Sequence, residues 1–150
     1  MSKSREVITR RLGLDIGDKR IGVAVSDPDG ILASPLTIIN RSDIVADIEA
    51  IIDIISRNQV GQIVVGLPLS MDGSMGKQAE KVNDFVHKLC SYTEVPVEFR
   101  DERLTTVKAR HLMQATRTRK AMRRANDDAI AAAVILQGYL EEGRQDKYEY

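Results

Sequence analysis

Two hydrophobic rhythms run along this chain, and the switches between them mark its elements. Residues 10–17 and 19–27 place apolar side chains at every second position, with a break at Gly17-Asp18. That spacing predicts two strands joined by a tight turn. Residues 31–39 read as a third strand, and Pro35, which cannot donate to a ladder, puts it at a sheet edge. From Ser42, a candidate N-cap, to about Arg57 the apolar positions Ile44, Val45, Ile48, Ile51, Ile52 and Ile55 recur every 3.6 residues, which predicts a helix. Residues 62–67 are continuously apolar, as in a strand covered on both faces, and Pro68 ends them. A second helix carries the stripe Ala79, Val82, Phe85, Val86 and Leu89. A fifth strand is expected over 95–100, a helix over about 105–115 and a last helix over about 126–141. Residues 1–9 and 143–150 are polar and expected to be flexible.

The order β-β-β-α-β-α-β-α-α, a hairpin followed by β-α units, predicts an α/β fold. It is a single domain over residues 1–150 with a five-stranded mixed sheet flanked by helices on both faces. The 150 residues, 43% of them hydrophobic, suffice for one core. The first, fourth and fifth strands should be parallel neighbours. Their C-terminal ends would then lie together, where open α/β sheets place ligands. Asp15, Gly66 and Glu102 fall at those ends.

Three acids sit where acids are costly. Asp15 interrupts the apolar run Leu12-Gly13-Leu14-Asp15-Ile16-Gly17, Glu102 closes the fifth strand, and Asp128 opens the alanine-rich helix 129–136. A buried carboxylate must be paired, hydrogen-bonded or metal-bound, and three at element ends suggest one shared metal site. By strand alternation Asp15 shares a face with Gly13 and Gly17, a bare stretch of backbone with space for a metal and a phosphate. A bend at the hairpin would also explain the glycines. Glu102 could equally be a solvated acid at a helix start, with Thr105 as the cap. Asn126 could cap the last helix, leaving Asp127 and Asp128 as ordinary first-turn acids. Asp128, however, lines up with Ala131, Ala132 and Ile135, a small apolar stripe that would face the sheet, which favours it modestly over Asp127. Gly66 would admit a phosphate beside Asp15, while Asp72-Gly73 reads better as a turn.

Net charge is zero and says nothing of partners. Between Arg100 and Asp128, however, nine basic residues face four acids. A polyanion held beside a metal site fits that excess, and so does a solvated helical surface. The lone Cys90 excludes an internal disulfide and a cysteine-based zinc site, and is expected as a small core residue. His87 and His111 are not spaced as a metal pair. Met1 to Arg11 has no apolar signal region, and no stretch approaches the ~20 apolar residues of a membrane span, so a cytoplasmic protein without membrane contact is expected. No P-loop, G-x-G-x-x-G or Ser-His-Asp pattern is present, and the chain is too short for a two-lobed ATPase.

Four segments together carry a resemblance. Leu12-Gly13-Leu14-Asp15-Ile16-Gly17-Asp18-Lys19-Arg20-Ile21-Gly22-Val23-Ala24, Val65-Gly66-Leu67-Pro68, Asp101-Glu102-Arg103-Leu104-Thr105-Thr106, and Asp128 with Ala131-Ala132-Ala133-Val134-Ile135-Leu136-Gln137 are similar to the YqgF-type family of pre-16S rRNA nucleases, also described as Holliday junction resolvases. The likeness spans about residues 10–142. It implies a ribonuclease H-like fold and a bacterial cytoplasmic nuclease acting in 5′-end maturation of ribosomal RNA. It also implies Asp15, Glu102 and Asp128 as the acidic positions. On that reading Asp15 bridges two Mg²⁺ or Mn²⁺ ions about 3.5–4 Å apart, and Glu102 and Asp128 complete their shells. Arg20, Arg103, Arg117, Arg119, Lys120, Arg123 and Arg124 hold the nucleic-acid backbone, and Gly13, Gly17 and Gly66 form the substrate loop. The expected partner is precursor rRNA or a ribosomal particle, and the chain acts as a monomer or homodimer. The alternatives are a resolvase acting on branched DNA and a non-catalytic RNA- or ribosome-binding protein.

Overall fold

The computed structural model describes residues 9–104 and 120–147, with the backbone alone for 120–126 and 143–147. Among the described residues, five strands and three helices follow in the order β1 (Arg10–Ile16), β2 (Arg20–Ser26), β3 (Ala33–Asn40), α1 (Ile44–Asn58), β4 (Val60–Leu67), α2 (Lys77–Leu89), β5 (Val97–Asp101) and α3 (Lys120–Lys147). The helix expected over 105–115, with Thr105 and His111, lies outside the described residues. The sheet order is β3-β2-β1-β4-β5. β2 runs antiparallel to β1 and β3, while β1, β4 and β5 run parallel. This is the expected mixed sheet, with Pro35 on an edge strand. The β2–β3 register slips between Val23 and Ala24, next to Pro35, so the missing donor falls at an irregularity rather than in a regular ladder.

Alternation divides the strands between two cores. Leu12, Leu14, Ile16, Ile21, Val23, Ile63 and Val65 pack against Ile48, Ile51 and Ile55 of α1 and Val82, Phe85, Val86 and Leu89 of α2. Their intervening neighbours face α3. There Ala24, Ala33 and Val64 meet Ala132, Ala133, Ile135, Leu136 and Leu140. Small residues on both partners bring α3 close to the sheet. Gln137 is wholly buried in this second core, yet both ends of its amide are satisfied. It accepts from the Ala33 amide at 2.8 Å and donates to the Ile31 carbonyl at 3.1 Å, tying the approach to β3 onto α3.

Several local expectations need correction. The cap of α1 is Asp43, which accepts from Ala46 N at 2.9 Å. Ser42 instead donates its amide to Asp47. β5 begins at Val97 rather than residue 95, because Pro96 has no amide to contribute. Cys90 is not in the core: it is the exposed C-cap residue of α2, one position beyond the last buried residue of the stripe. α3 starts at Lys120, so Asn126 and Asp127 lie within the helix and Asn126 is no cap. The run Ala121-Met122-Arg123-Arg124-Ala125 is made of strong helix formers, which outweigh one asparagine. Gly143 does not stop the helix either, which runs on to Lys147.

Candidate active site

The parallel ladder sets the positions of the first two acids. Asp15 is the penultimate residue of β1 and faces α3, since Leu14 and Ile16 on either side point into the other core. Glu102 follows β5 on the face of Arg100, and its amide extends the ladder to the Leu67 carbonyl at 3.1 Å. Gly66 on β4 stands between them. A Cβ at Gly66 would lie 2.7 Å from Glu102 Oε2 and 2.5 Å from Ile135 Cδ1, so the glycine lets the Glu102 carboxyl lie against the sheet.

Asp128 arrives from α3. Asp15 is the cross-strand partner of Gly22, and a Cβ on Gly22 would collide with the Asp128 carbonyl. Gly22 is thus the seat that brings the first sheet-facing turn of α3 down beside Asp15. Sequence reasoning missed it, although a glycine amid the valines and isoleucine of β2 carries the same signal as Gly13. Asp127 and Asp128 differ in burial. Asp127 is exposed, whereas Asp128 is half-buried above Ala132 and Ile135. Gly13, expected beside the substrate, is instead helix-packed: its Cβ would meet Leu136 Cβ at 2.8 Å and the Ala132 carbonyl at 2.9 Å. The space above it belongs to α3. Gly17 makes the turn itself, donating its amide to the Arg20 carbonyl at 2.9 Å.

The acids differ in how their charge is met. Burial, then the charge of Asp128, pushes the Asp15 carboxyl up to about 6. Burial, then Asp15 and Asp101, pushes Glu102 up to about 7. Among the described residues neither carboxylate accepts a hydrogen bond or meets a cation. Asp128 is different: its Oδ2 takes the Arg20 Nε at 2.6 Å. Among the described residues no three of these acids converge closely enough to hold one ion. Two uncompensated, half-buried carboxylates with a third across from them are nonetheless the hard-oxygen donor set that Mg²⁺ and Mn²⁺ take. The residues fit such an ion in chemistry, with one of the three already engaged.

The surrounding contacts hold the loops that carry these acids. Arg41 donates from Nε to buried Asp47 at 3.1 Å and from its terminal nitrogen to the Gly17 carbonyl at 2.9 Å, and its guanidinium lies 5.0 Å over the Phe85 ring. The turn after Asp15 is thereby fastened to α1 and α2. Arg103 forks onto Asp101, at 2.6 Å from one terminal nitrogen, and reaches the Met71 carbonyl at 3.0 Å with the other. It thereby fastens the 70–76 loop, whose Asp72-Gly73 turn has φ +87° at the glycine. Arg20 and Arg103, both expected at a nucleic-acid backbone, are thus each paired with an aspartate. Arg117 and Arg119 lie outside the described residues. Lys120, Arg123 and Arg124 begin α3, where only the backbone is described.

A family profile described as RuvX, Holliday junction resolvase, matches residues 9–142. Proteins named "Putative pre-16S rRNA nuclease" are close in sequence. That of Moorella thermoacetica is 48% identical over 133 residues, covering 88% of this chain and 94% of that protein. That of Caldanaerobacter subterraneus is 46% identical, covering 88% and 96%. In structure, Thermus thermophilus RuvC in complex with a Holliday junction substrate superposes with a TM-score of 0.59 at 14% identity, over 91% of this chain and 96% of that one. The fowlpox virus Holliday junction resolvase gives 0.54 at 13% identity, over 89% and 99%. These likenesses show the ribonuclease H-like fold of the resolvases. By sequence, the chain belongs to the RuvX family, a family of nucleases.

Proposed function

We propose that this chain is a divalent-cation-dependent nuclease that hydrolyses phosphodiester bonds in precursor 16S rRNA, in the bacterial cytoplasm. The observation that carries the reading is the pair Asp15 and Glu102. Two half-buried carboxylates at the ends of the parallel strands on either side of β4, each pushed to higher proton affinity by burial and by a nearby acid, have no counter-charge among the described residues. A folded protein retains so costly an arrangement where a cation completes it.

In this reading Asp15 and Glu102 are the principal ligands, and Asp128 contributes from α3. Bound Mg²⁺ or Mn²⁺ supplies an acidified water and charge stabilisation at the scissile phosphate. The chain's own residues supply position. Gly22 and Gly66 allow α3 and the Glu102 carboxyl to approach Asp15, Arg41 holds the turn behind Asp15, and the excess of basic residues between Arg100 and Asp128 in the sequence suits a polyanion. No side-chain nucleophile is needed. RNA is favoured over branched DNA as substrate by the name that relatives at 44–48% identity share.

The test is cleavage by the purified protein of precursor 16S rRNA and of a four-way DNA junction, each with Mn²⁺, Mg²⁺ or chelator. Metal-dependent cutting of the rRNA, abolished in Asp15→Asn with RNA binding retained, is the expected result. Cutting of the junction alone favours the resolvase, and cleavage unchanged by Asp15→Asn refutes the site. RNA binding without cleavage by the unaltered protein leaves only the non-catalytic reading.

A further inference from the structure

We propose that Arg20 is a built-in counter-cation for the third carboxylate. It occupies Asp128 in the resting site and releases it when a divalent cation and a substrate phosphate bind. This rests on the metal-site reading above. Three features of the fold make the pairing a constructed one. Arg20 opens β2 two residues before Gly22, on the same face, and Gly22 fixes the Asp128 backbone directly above that face. The acid and the guanidinium, 108 residues apart in sequence, therefore meet because α3 seats there. Asp128 is the only one of the three acids with a cationic partner among the described residues. Finally, Arg20 holds Asp128 through Nε, and its side chain is 54% exposed. Among the described residues its two terminal nitrogens make no other bond, so they remain available to a phosphate, for which the guanidinium fork is well shaped.

The consequence is a coupling. A divalent cation drawing on Asp128 competes with the guanidinium for the charge of that carboxylate, and a phosphate that takes the guanidinium fork draws it away from Asp128. Each ligand then favours the other, by reciprocity. The empty site is guarded against holding metal tightly, and substrate completes the ligand set.

Mn²⁺ titration of the nucleic-acid-free protein, followed by electron paramagnetic resonance, tests this. Arg20→Gln should bind Mn²⁺ about tenfold more tightly than the unaltered chain, the scale of one charge-assisted bond. The gain should vanish in an Asp128→Asn background, because Arg20 acts through that carboxylate. If Arg20→Gln fails to fold by circular dichroism, Arg20→Met, which keeps the apolar stem, gives the same readout. Equal Mn²⁺ affinity with and without Arg20 overturns the counter-cation role while leaving the metal site intact, and so does weaker binding in the variant. Binding by neither protein overturns the metal-site reading as well.

Discussion

The two faces of this sheet are built from alternate residues of the same strands, and they do different work. Toward α1 and α2, Leu12, Leu14, Ile21, Ile63 and Val65 are fully buried aliphatics in one continuous core. Toward α3, the same strands present Gly13, Asp15, Gly22 and Gly66. One face is filled, so its contribution is stability. The other is pared down so that a helix comes close, and its carboxylates collect at one end of the sheet. The contrast extends to the acids themselves. Asp47, on the filled side, is 2% exposed and is met by Arg41 and the Ser42 amide. Asp15, less buried, is met by neither a donor nor a cation among the described residues. A buried acid that serves structure is compensated within the fold, and one left uncompensated points to a partner from outside.

Substitutions can separate the faces. Asp15→Asn should lower cleavage by more than about 100-fold, beyond the 10–100-fold typical of residues that only support a ligand. It should also raise the thermal midpoint of the metal-free protein at pH 8, since an uncompensated charge is removed. Loss of both activity and stability would instead make Asp15 a structural acid. On the filled face, Leu89→Ala should cost about 2–5 kcal/mol in denaturant unfolding while cleavage per folded molecule stays near that of the unaltered chain. Gly22→Ala should do both kinds of damage. The new methyl collides with the Asp128 carbonyl, costing about 1–3 kcal/mol, and cleavage falls because Asp128 is displaced.

Acidity sharpens the same contrast more gently. Asp15 and Glu102 both bind protons more tightly folded, at about 6 and about 7 against 3.8 and 4.5. The native state therefore carries more protons than the unfolded chain between about pH 4 and 7, and stability falls as pH rises through that window. Thermal melts in chelator should give a higher midpoint at pH 5 than at pH 8. Mn²⁺ should raise the midpoint more at pH 8, where the carboxylates are ionised and free to bind it. A metal response independent of pH would contradict the assignment. The smallest effect belongs to Arg103→Ala, which removes a partly exposed pair with Asp101 and the bond to the Met71 carbonyl and should be seen as faster proteolysis of the 70–76 loop with little change in global stability.

Much of this was legible in the chain. Strict alternation in β1 placed Asp15 with the glycines, the continuous run of β4 marked a central strand, and Pro35 marked the edge. The small stripe Ala131, Ala132 and Ile135 favoured Asp128 over its neighbour, and Asp128 is the more buried of the two. What was not legible depends on partners distant in sequence. Gly13 reads as open space until α3 is seen lying on it. Arg20 and Arg103 read as free cations because Asp128 and the Met71 carbonyl reach them only in the folded chain. Helix ends failed for a different reason: Asn126 and Gly143 are stop or start signals worth about 1 kcal/mol, too little to end a helix whose flanking residues favour continuing it.

The most direct measurement is a crystal structure grown with Mn²⁺, with anomalous scattering used to locate the ion. The account predicts a peak in contact with Asp15 and Glu102 that is lost in Asp15→Asn. Manganese bound only elsewhere, with both carboxylates unliganded, would contradict it.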